Sequence, residues 1–291
     1  MNIQEIVLGA QQRKTAILAF NIPYLTMVEP VANGIADEKI QGIIQVARAE
    51  WEKFSAQSPE AVAGEYRKHE KPGFTVLGLD HVPVIDEDNQ KVDYKEIILR
   101  AIEVGYQFVM LDGSRLDFEA NISATREIAE ITHKAGLACE GELGAVMGHE
   151  SGPPMPYEEI FQSRLGFTDC IEAKRFAAET GCDWLSVAAG NIHGAIAEAT
   201  RHQKKPAARL DIDHINSLFK AAEIPLVLHG GSGIPVDYVK RSIAAGIAKI
   251  NIGAEIRQAY ENCMEETGGK VTAAQDRVYN RVRELITGLL R

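Results

Sequence analysis

Cysteine is scarce in this 291-residue chain and never paired: Cys139, Cys170, Cys182 and Cys263 are scattered, with no CxxC spacing. That sets aside a disulfide framework and a cysteine-ligated zinc site, and the four read as reduced thiols. Basic residues are also short, 31 Lys and Arg against 41 Asp and Glu, for a net charge of −10. Non-specific nucleic-acid binding needs a basic surface, so no nucleic-acid partner is expected. A local cationic pocket for an anionic small molecule stays open. No apolar run approaches the roughly 18–20 residues that span a bilayer, and the N-terminal MNIQEIVLGAQQRK has no apolar signal core. The expectation is a cytoplasmic protein without membrane contact.

A Pro/Ser linker or composition break is missing too, so one domain is expected over residues 1–291. What the chain does have is alternation. Short apolar runs at 15–22, 42–48, 74–81, 107–114, 137–144, 184–191, 225–233 and 247–253 are continuous rather than alternating in polarity. That is the pattern of strands covered on both faces. Between them, residues 95–103, 122–134, 171–180, 212–222 and 236–245 place apolar side chains at helical spacing. Gly105, Gly136, Gly181 and Gly246 stand where they can end helices.

Repeated β-α alternation means a parallel sheet, and eight strands is the number that closes a barrel. The fold class expected is therefore α/β, a single (β/α)8 or TIM barrel, which takes roughly 250 residues. A doubly wound open sheet is the alternative, because alternation alone does not show closure. Two stretches break the rhythm. Residues 49–73 read as an exposed helix and loop, and residues 145–169 as a loop long enough to cover an active site. Residues from about 255 to 291 read as closing helices.

In such a barrel reactive groups gather at the C-terminal strand ends. There the chain places Asn21, Arg48, Asp80, His81, Asp112, Ser114, Glu140, Glu142, Asn191, His193, His229, Ser232 and Asn251. Singly, each has a packing explanation: a histidine bonded to backbone, Glu142 as a capping carboxylate, Asp112 as a turn residue satisfying its own backbone. Convergence carries more. Three histidines from three separate strand ends, with an open coordination position, match a catalytic zinc site. A metal there polarises a carbonyl and stabilises a developing enediolate. The glycine-rich turn of LVLHGGSG (226–233) offers backbone N–H groups to an anion, where barrels commonly grip phosphate.

Taken together, AFNI (19–22), LDH (79–81), LDGS with FEANI (111–122), EGELG (140–144), GNIHG (190–194), LHGGSG (228–233) and KIN (249–251) resemble the class II zinc-dependent fructose- and tagatose-bisphosphate aldolases. They come in family order and run from residue 15 to 257. The resemblance implies a Zn2+ ion held by His81, His193 and His229, with Glu142 a second-site or nearby carboxylate. It implies Asp80 as the acid/base at the C4 hydroxyl, Glu150 as the loop glutamate exchanging the C3 proton, and Asn251 as a hydrogen-bond partner of the enediolate. Gly194, Gly230 and Ser232 would line a phosphate site, and Asn21 and Ser114 join them as substrate-binding candidates. A homodimer or homotetramer is the family's assembly.

The chain departs from the family where substrate binds. Val82-Pro83-Val84 follows LDH in place of the usual glycine, residues 195–200 contain no lysine, and Ala254 replaces the threonine of Asn-x-x-Thr. Arg48 and Arg115 stand where a cation meets an anion at the far end of a substrate, or are solvated surface groups. Two substrate readings stay open: a ketose phosphate or bisphosphate, or a ketose with a free C1 hydroxyl such as 6-deoxy-6-sulfofructose, which yields dihydroxyacetone and sulfolactaldehyde. Outside the aldolases, a zinc hydrolase and a non-catalytic sugar-phosphate-binding barrel remain.

Overall fold

A computed structural model describes residues 2–144, 157–192 and 208–291. Its eight strands are β1 (Ile17–Asn21), β2 (Gly42–Ala47), β3 (Thr75–Pro83), β4 (Phe108–Asp112), β5 (Ala138–Leu143), β6 (Trp184–Val187), β7 (Leu226–Leu228) and β8 (Ile247–Ile252). All are parallel, each pairs with its neighbour in sequence, and β8 pairs with β1. The sheet is therefore a closed barrel, which removes the open-sheet alternative. Almost every strand residue is buried, because the interior covers one face and helices the other.

The helices are α1 (Ile3–Gln12), α2 (Val28–Asp37), α3 (Arg48–Lys53), α4 (Pro59–His69), α5 (Tyr94–Glu103), α6 (Phe118–Lys134), α7 (Tyr157–Ser163), α8 (Cys170–Thr180), α9 (Ile212–Ala222), α10 (Val236–Ala245), α11 (Ala254–Glu266) and α12 (Val271–Leu290). Their starts are written locally. Asp93, Asp117, Asp169 and Asp211 each accept a hydrogen bond from a backbone N–H in the first turn of α5, α6, α8 and α9. Each such cap is worth about 1 kcal/mol. Two ends are equally local. Gly181 takes φ 70° after α8. Gly246 takes φ 130° after α10, where a Cβ would lie 2.5 Å from the Phe219 ring.

The stretch 49–73 is more ordered than its polarity implies: it holds most of α3 and all of α4, whose Val62, Ala63 and Tyr66 are buried. Part of the stretch read as a loop, Tyr157–Ser163, is helical. Arg48 does not end β2 but opens α3.

Helix α1 decides one end of the barrel. Its Ile3, Ile6, Val7 and Ala10 pack into one apolar cluster with Ile17, Ala19, Ile43, Val76, Phe108, Ala138, Trp184, Val227 and Ala248. These strand residues lie at or near the beginnings of the strands, so α1 closes the N-terminal end. Gly78 makes room for the Phe108 ring, which a Cβ there would approach to 2.0 Å. Among the described residues the other end is polar.

Candidate active site

Asp80 and His81 are adjacent on β3, and an ordinary strand would point them to opposite faces. The β3–β4 register shifts between Leu79 and Val82, and His81 takes φ 27°, a conformation most residues avoid. The irregularity turns both side chains toward the barrel mouth, a familiar use of a bulge beside a site. Asp80 is 1% exposed.

Each carboxylate oxygen of Asp80 accepts one amide. Asn21 Nδ2 donates to Oδ2 at 2.8 Å, and Asn251 Nδ2 donates to Oδ1 at 3.0 Å. Both amides are oriented from behind: Gln45 Nε2 donates to Asn21 Oδ1 at 3.0 Å and Lys249 Nζ donates to Asn251 Oδ1 at 2.8 Å. Asp80 is thus held as a double acceptor in fixed orientation.

His229, at the end of β7, is fully buried with its ring centroid 4.4 Å from that of His81. Its Nε2 donates to Glu140 Oε1 at 2.8 Å. The other Glu140 oxygen accepts from Trp184 Nε1 at 2.6 Å and from Lys249 Nζ at 2.8 Å. Burial opposes the Glu140 charge, but Lys249 and His229 outweigh it and bring its pKa down to about 2. For His229, burial and the nearby His81 keep the imidazole neutral, the form that can bind a metal.

Glu142 faces both histidines, with Oε2 3.5 Å from His81 Nδ1 and 3.7 Å from His229 Nδ1. That oxygen is buried without a hydrogen bond. Burial, together with the charge of Asp112, pushes the Glu142 carboxyl well above its usual pKa. Asp112 accepts from the Ser114 backbone N–H at 3.0 Å and hydroxyl at 2.6 Å, the expected turn, and also sits 3.3 Å from His81 Nδ1. Burial works against a charged His81, yet Asp80, Asp112 and Glu142 outweigh it and raise the imidazole to about 10.

Among the described residues, two overlapping groups have metal-ligating geometry: Asp80, His81 and His229; and His81, Asp112 and Glu142. In each, the candidate ligand atoms lie within 4.8 Å of one another. A divalent cation fits this donor set, because imidazole and carboxylate suit zinc and the unbonded Glu142 oxygen faces the space between the histidines.

Above this cluster opens a cleft lined by Asn21, Arg48, Glu50, Asp80, His81, Arg115, His229, Gly230, Ser232, Asn251 and Arg257, among others. Arg48 is drawn to Asp86 at 3.2 Å and Glu52 at 3.9 Å, while Arg115 is exposed at the rim. Glu50 caps α3 by accepting the Ala47 N–H at 2.8 Å. Burial at the cleft wall, with the charge of Asp80 adding to it, lifts its carboxyl to about 8. In the glycine-rich turn the Gly233 N–H donates to Glu255 Oε1 at 3.0 Å, and the Gly231 N–H to Asn251 O at 3.2 Å.

The structure thus brings together Asn21, Asp80, His81, Glu142, His229 and Asn251, with Gly230, Ser232, Arg48 and Arg115 on the cleft wall. Ser114 reaches the site only through Asp112. Glu150, His193 and Gly194 lie outside the described residues. Sequence reasoning missed Gln45, Glu50, Lys249 as a buried cation, and Arg257. A lysine inside the apolar strand IAKINI was the available signal; Arg257, in the body of α11, left none.

The family model for class-II fructose-bisphosphate aldolase matches residues 1–289. Over 172 residues the chain is 38% identical to the fructose-bisphosphate aldolase of Streptococcus pyogenes serotype M3, covering 59% of this chain and 53% of that protein. The chain spans about half the length of the curated relatives it matches. Among solved structures, the YdjI aldolase from Escherichia coli K12 superposes with a TM-score of 0.77 at 27% identity, covering 99% of this chain and 96% of that one. A putative fructose-1,6-biphosphate aldolase from Coccidioides immitis gives 0.78 at 22% identity, covering 99% and 96%, a likeness of fold.

Proposed function

Because the chain belongs to the class II fructose-bisphosphate aldolase family, we propose that it is a metal-dependent lyase that reversibly cleaves an anionic ketose between C3 and C4. The observation that carries this reading is Asp80, fixed by two amides, next to His81 at one distorted strand end. A base for the C4 hydroxyl and a ligand for an electron-withdrawing ion then serve the same substrate.

His81, His193 and His229 would hold zinc, with Glu142 beside it. When bound, the ion supplies a Lewis acid for the C2 carbonyl. Asp80 takes the C4 hydroxyl proton, the C3–C4 bond breaks, and the aldehyde half departs. The electron pair stays with the three-carbon half, which Glu150 reprotonates at C3. Asn251 donates its second amide hydrogen to the oxygen where charge develops, an interaction strongest in the transition state. Lys249 takes no part as an amine nucleophile, because its ammonium is buried and bonded to Glu140 and Asn251.

The cleft supplies cations for an anionic substrate despite the chain's net negative charge: Arg115, Arg48 and Arg257 all line it. A ketose (bis)phosphate, cleaved to dihydroxyacetone phosphate, would place its C1 phosphate against Gly194, Gly230 and Ser232. The specific observation favouring a free C1 hydroxyl is Ala254, a methyl at the cleft wall in the first turn of α11 where the resembled family carries a hydroxyl. On that reading the product is dihydroxyacetone and the arginines meet a sulfonate, as in 6-deoxy-6-sulfofructose. Among the described residues no helix is long and apolar enough to cross a membrane. A cytoplasmic location and assembly as a homodimer or homotetramer belong to the same proposal and rest on the family alone.

The test is an aldol-cleavage assay on zinc-loaded protein with fructose 1,6-bisphosphate, tagatose 1,6-bisphosphate and 6-deoxy-6-sulfofructose in parallel, with an EDTA control. EDTA-sensitive cleavage of any one supports the lyase. Turnover of a bisphosphate alone removes the free-hydroxyl reading, and no cleavage of any of them with bound zinc removes the aldolase reading for these ketoses.

A further inference from the structure

The site residues are joined from below by a fully buried lysine. Lys249 is 0% exposed, and its ammonium carries three donors and no acceptor. One donor goes to Glu140 Oε2 and another to Asn251 Oδ1, both at 2.8 Å, and the Phe108 ring centroid lies 5.1 Å away. Two consequences follow from donor chemistry alone. The Asn251 atom facing the ammonium must be its carbonyl oxygen, so its NH2 is turned to Asp80. Glu140, kept anionic beside the ammonium, accepts from His229 Nε2, so His229 Nδ1 carries the lone pair on the Glu142 side. An unbroken chain therefore runs His229–Glu140–Lys249–Asn251–Asp80–Asn21–Gln45.

We propose that Lys249 is the positioning residue of this site: one ammonium fixes the His229 imidazole through Glu140 and the Asn251 amide directly, tying the metal ligand to the base. The catalytic half of this statement rests on the aldolase reading, and the metal-ligand half stands apart from it. Partners behind a metal-binding histidine typically change affinity 10–100-fold when lost. An amide whose contact grows only in the transition state changes kcat rather than KM.

The experiment uses full-length Lys249→Met and the double variant Glu140→Gln/Lys249→Met, which leaves no unpaired charge in the barrel and so keeps the test readable where the single variant unfolds. Zinc affinity is read by competition with a chromophoric chelator, and kcat and KM by the cleavage assay. The expected result is a zinc Kd weakened about 10-fold in Lys249→Met, with kcat lowered about 100-fold and KM changed less than about threefold. In Lys249→Ala, propylamine restores kcat and 1-propanol, of similar size without the charge, does not. Folded variants whose zinc Kd and kcat both stay within about twofold of the wild type overturn the proposal, leaving Lys249 a packing residue. If the wild type cleaves none of the ketoses, the aldolase reading fails, and zinc affinity alone then decides for or against Lys249.

Discussion

The two ends of the barrel are made by the same eight strands and filled with opposite chemistry. At the N-terminal end, α1 presses Ile3, Ile6, Val7 and Ala10 onto Phe108, Trp184 and their neighbours. Toward the C-terminal end Asp80, Glu142 and His229 are essentially buried, and beneath them Glu140 and Lys249 are fully buried in the middle of β5 and β8. The first arrangement stabilises by removing apolar surface from water. The second holds charges out of water and repays the cost only where each is bonded, as in the Glu140–Lys249 pair. Residues of the closed end should therefore govern stability, and residues of the polar end activity.

The sharpest break in that comparison is expected at Asp80. Asp80→Ala should lower kcat by as much as about 10⁴-fold, close to 5.5 kcal/mol, and cost about 1–3 kcal/mol of stability for the Asn21 and Asn251 amides it strands, while the histidines still bind zinc. Unchanged turnover would remove Asp80 from the base role, and a zinc-binding barrel without cleavage would favour a non-catalytic or hydrolytic protein. Phe108→Ala attacks the other end. The Phe108 ring fills the space over Gly78 and meets Trp184 at a centroid distance of 5.7 Å, so denaturant unfolding should show a loss of about 3–5 kcal/mol. The folded fraction should keep most of its zinc affinity; losing affinity in step with stability would mean that the ends are not separable.

Trp184 lies at the boundary, apolar below and bonded to Glu140 above. Trp184→Phe removes the indole N–H together with the five-membered ring and leaves Glu140 Oε2 with the Lys249 donor, for a cost of about 1–3 kcal/mol from the lost bond plus the packing of the missing ring. Calorimetry of this variant beside Glu140→Gln, which keeps the indole, separates the hydrogen bond from the packing of the boundary. The smallest expected effect is at Glu50, whose carboxyl is held near 8 in the folded protein against a usual 4.5. Between those values the folded state binds more protons than the unfolded one, so stability falls as pH rises from about 4.5 to about 8 and levels off above. Glu50→Gln should remove that slope and be the more stable protein at pH 9. With water at the cleft mouth the gain is about 1–2 kcal/mol, read from denaturation curves at pH 5 and pH 9.

How far the sequence reaches can be judged element by element. The apolar runs and the Asp and Gly residues around them predict β1–β8 and the bounds of α9 and α10, because strand and helix periodicities and their caps are local signals. Catalytic and ligand candidates at strand ends followed from the barrel, since closure places every C-terminal strand end at one mouth. The sequence alone determined, then, which chemistry is present and at which end. Tertiary structure decided how it is oriented. The register shift that turns Asp80 and His81 the same way depends on pairing with β4. The contact of Asn251 with Asp80 spans 171 positions and that of Lys249 with Glu140 spans 109. Arg48 is tied to Asp86 across 38 positions, and Arg257 reaches the cleft from within a helix. Such partners are chosen by packing in three dimensions, and no periodicity along the chain records them.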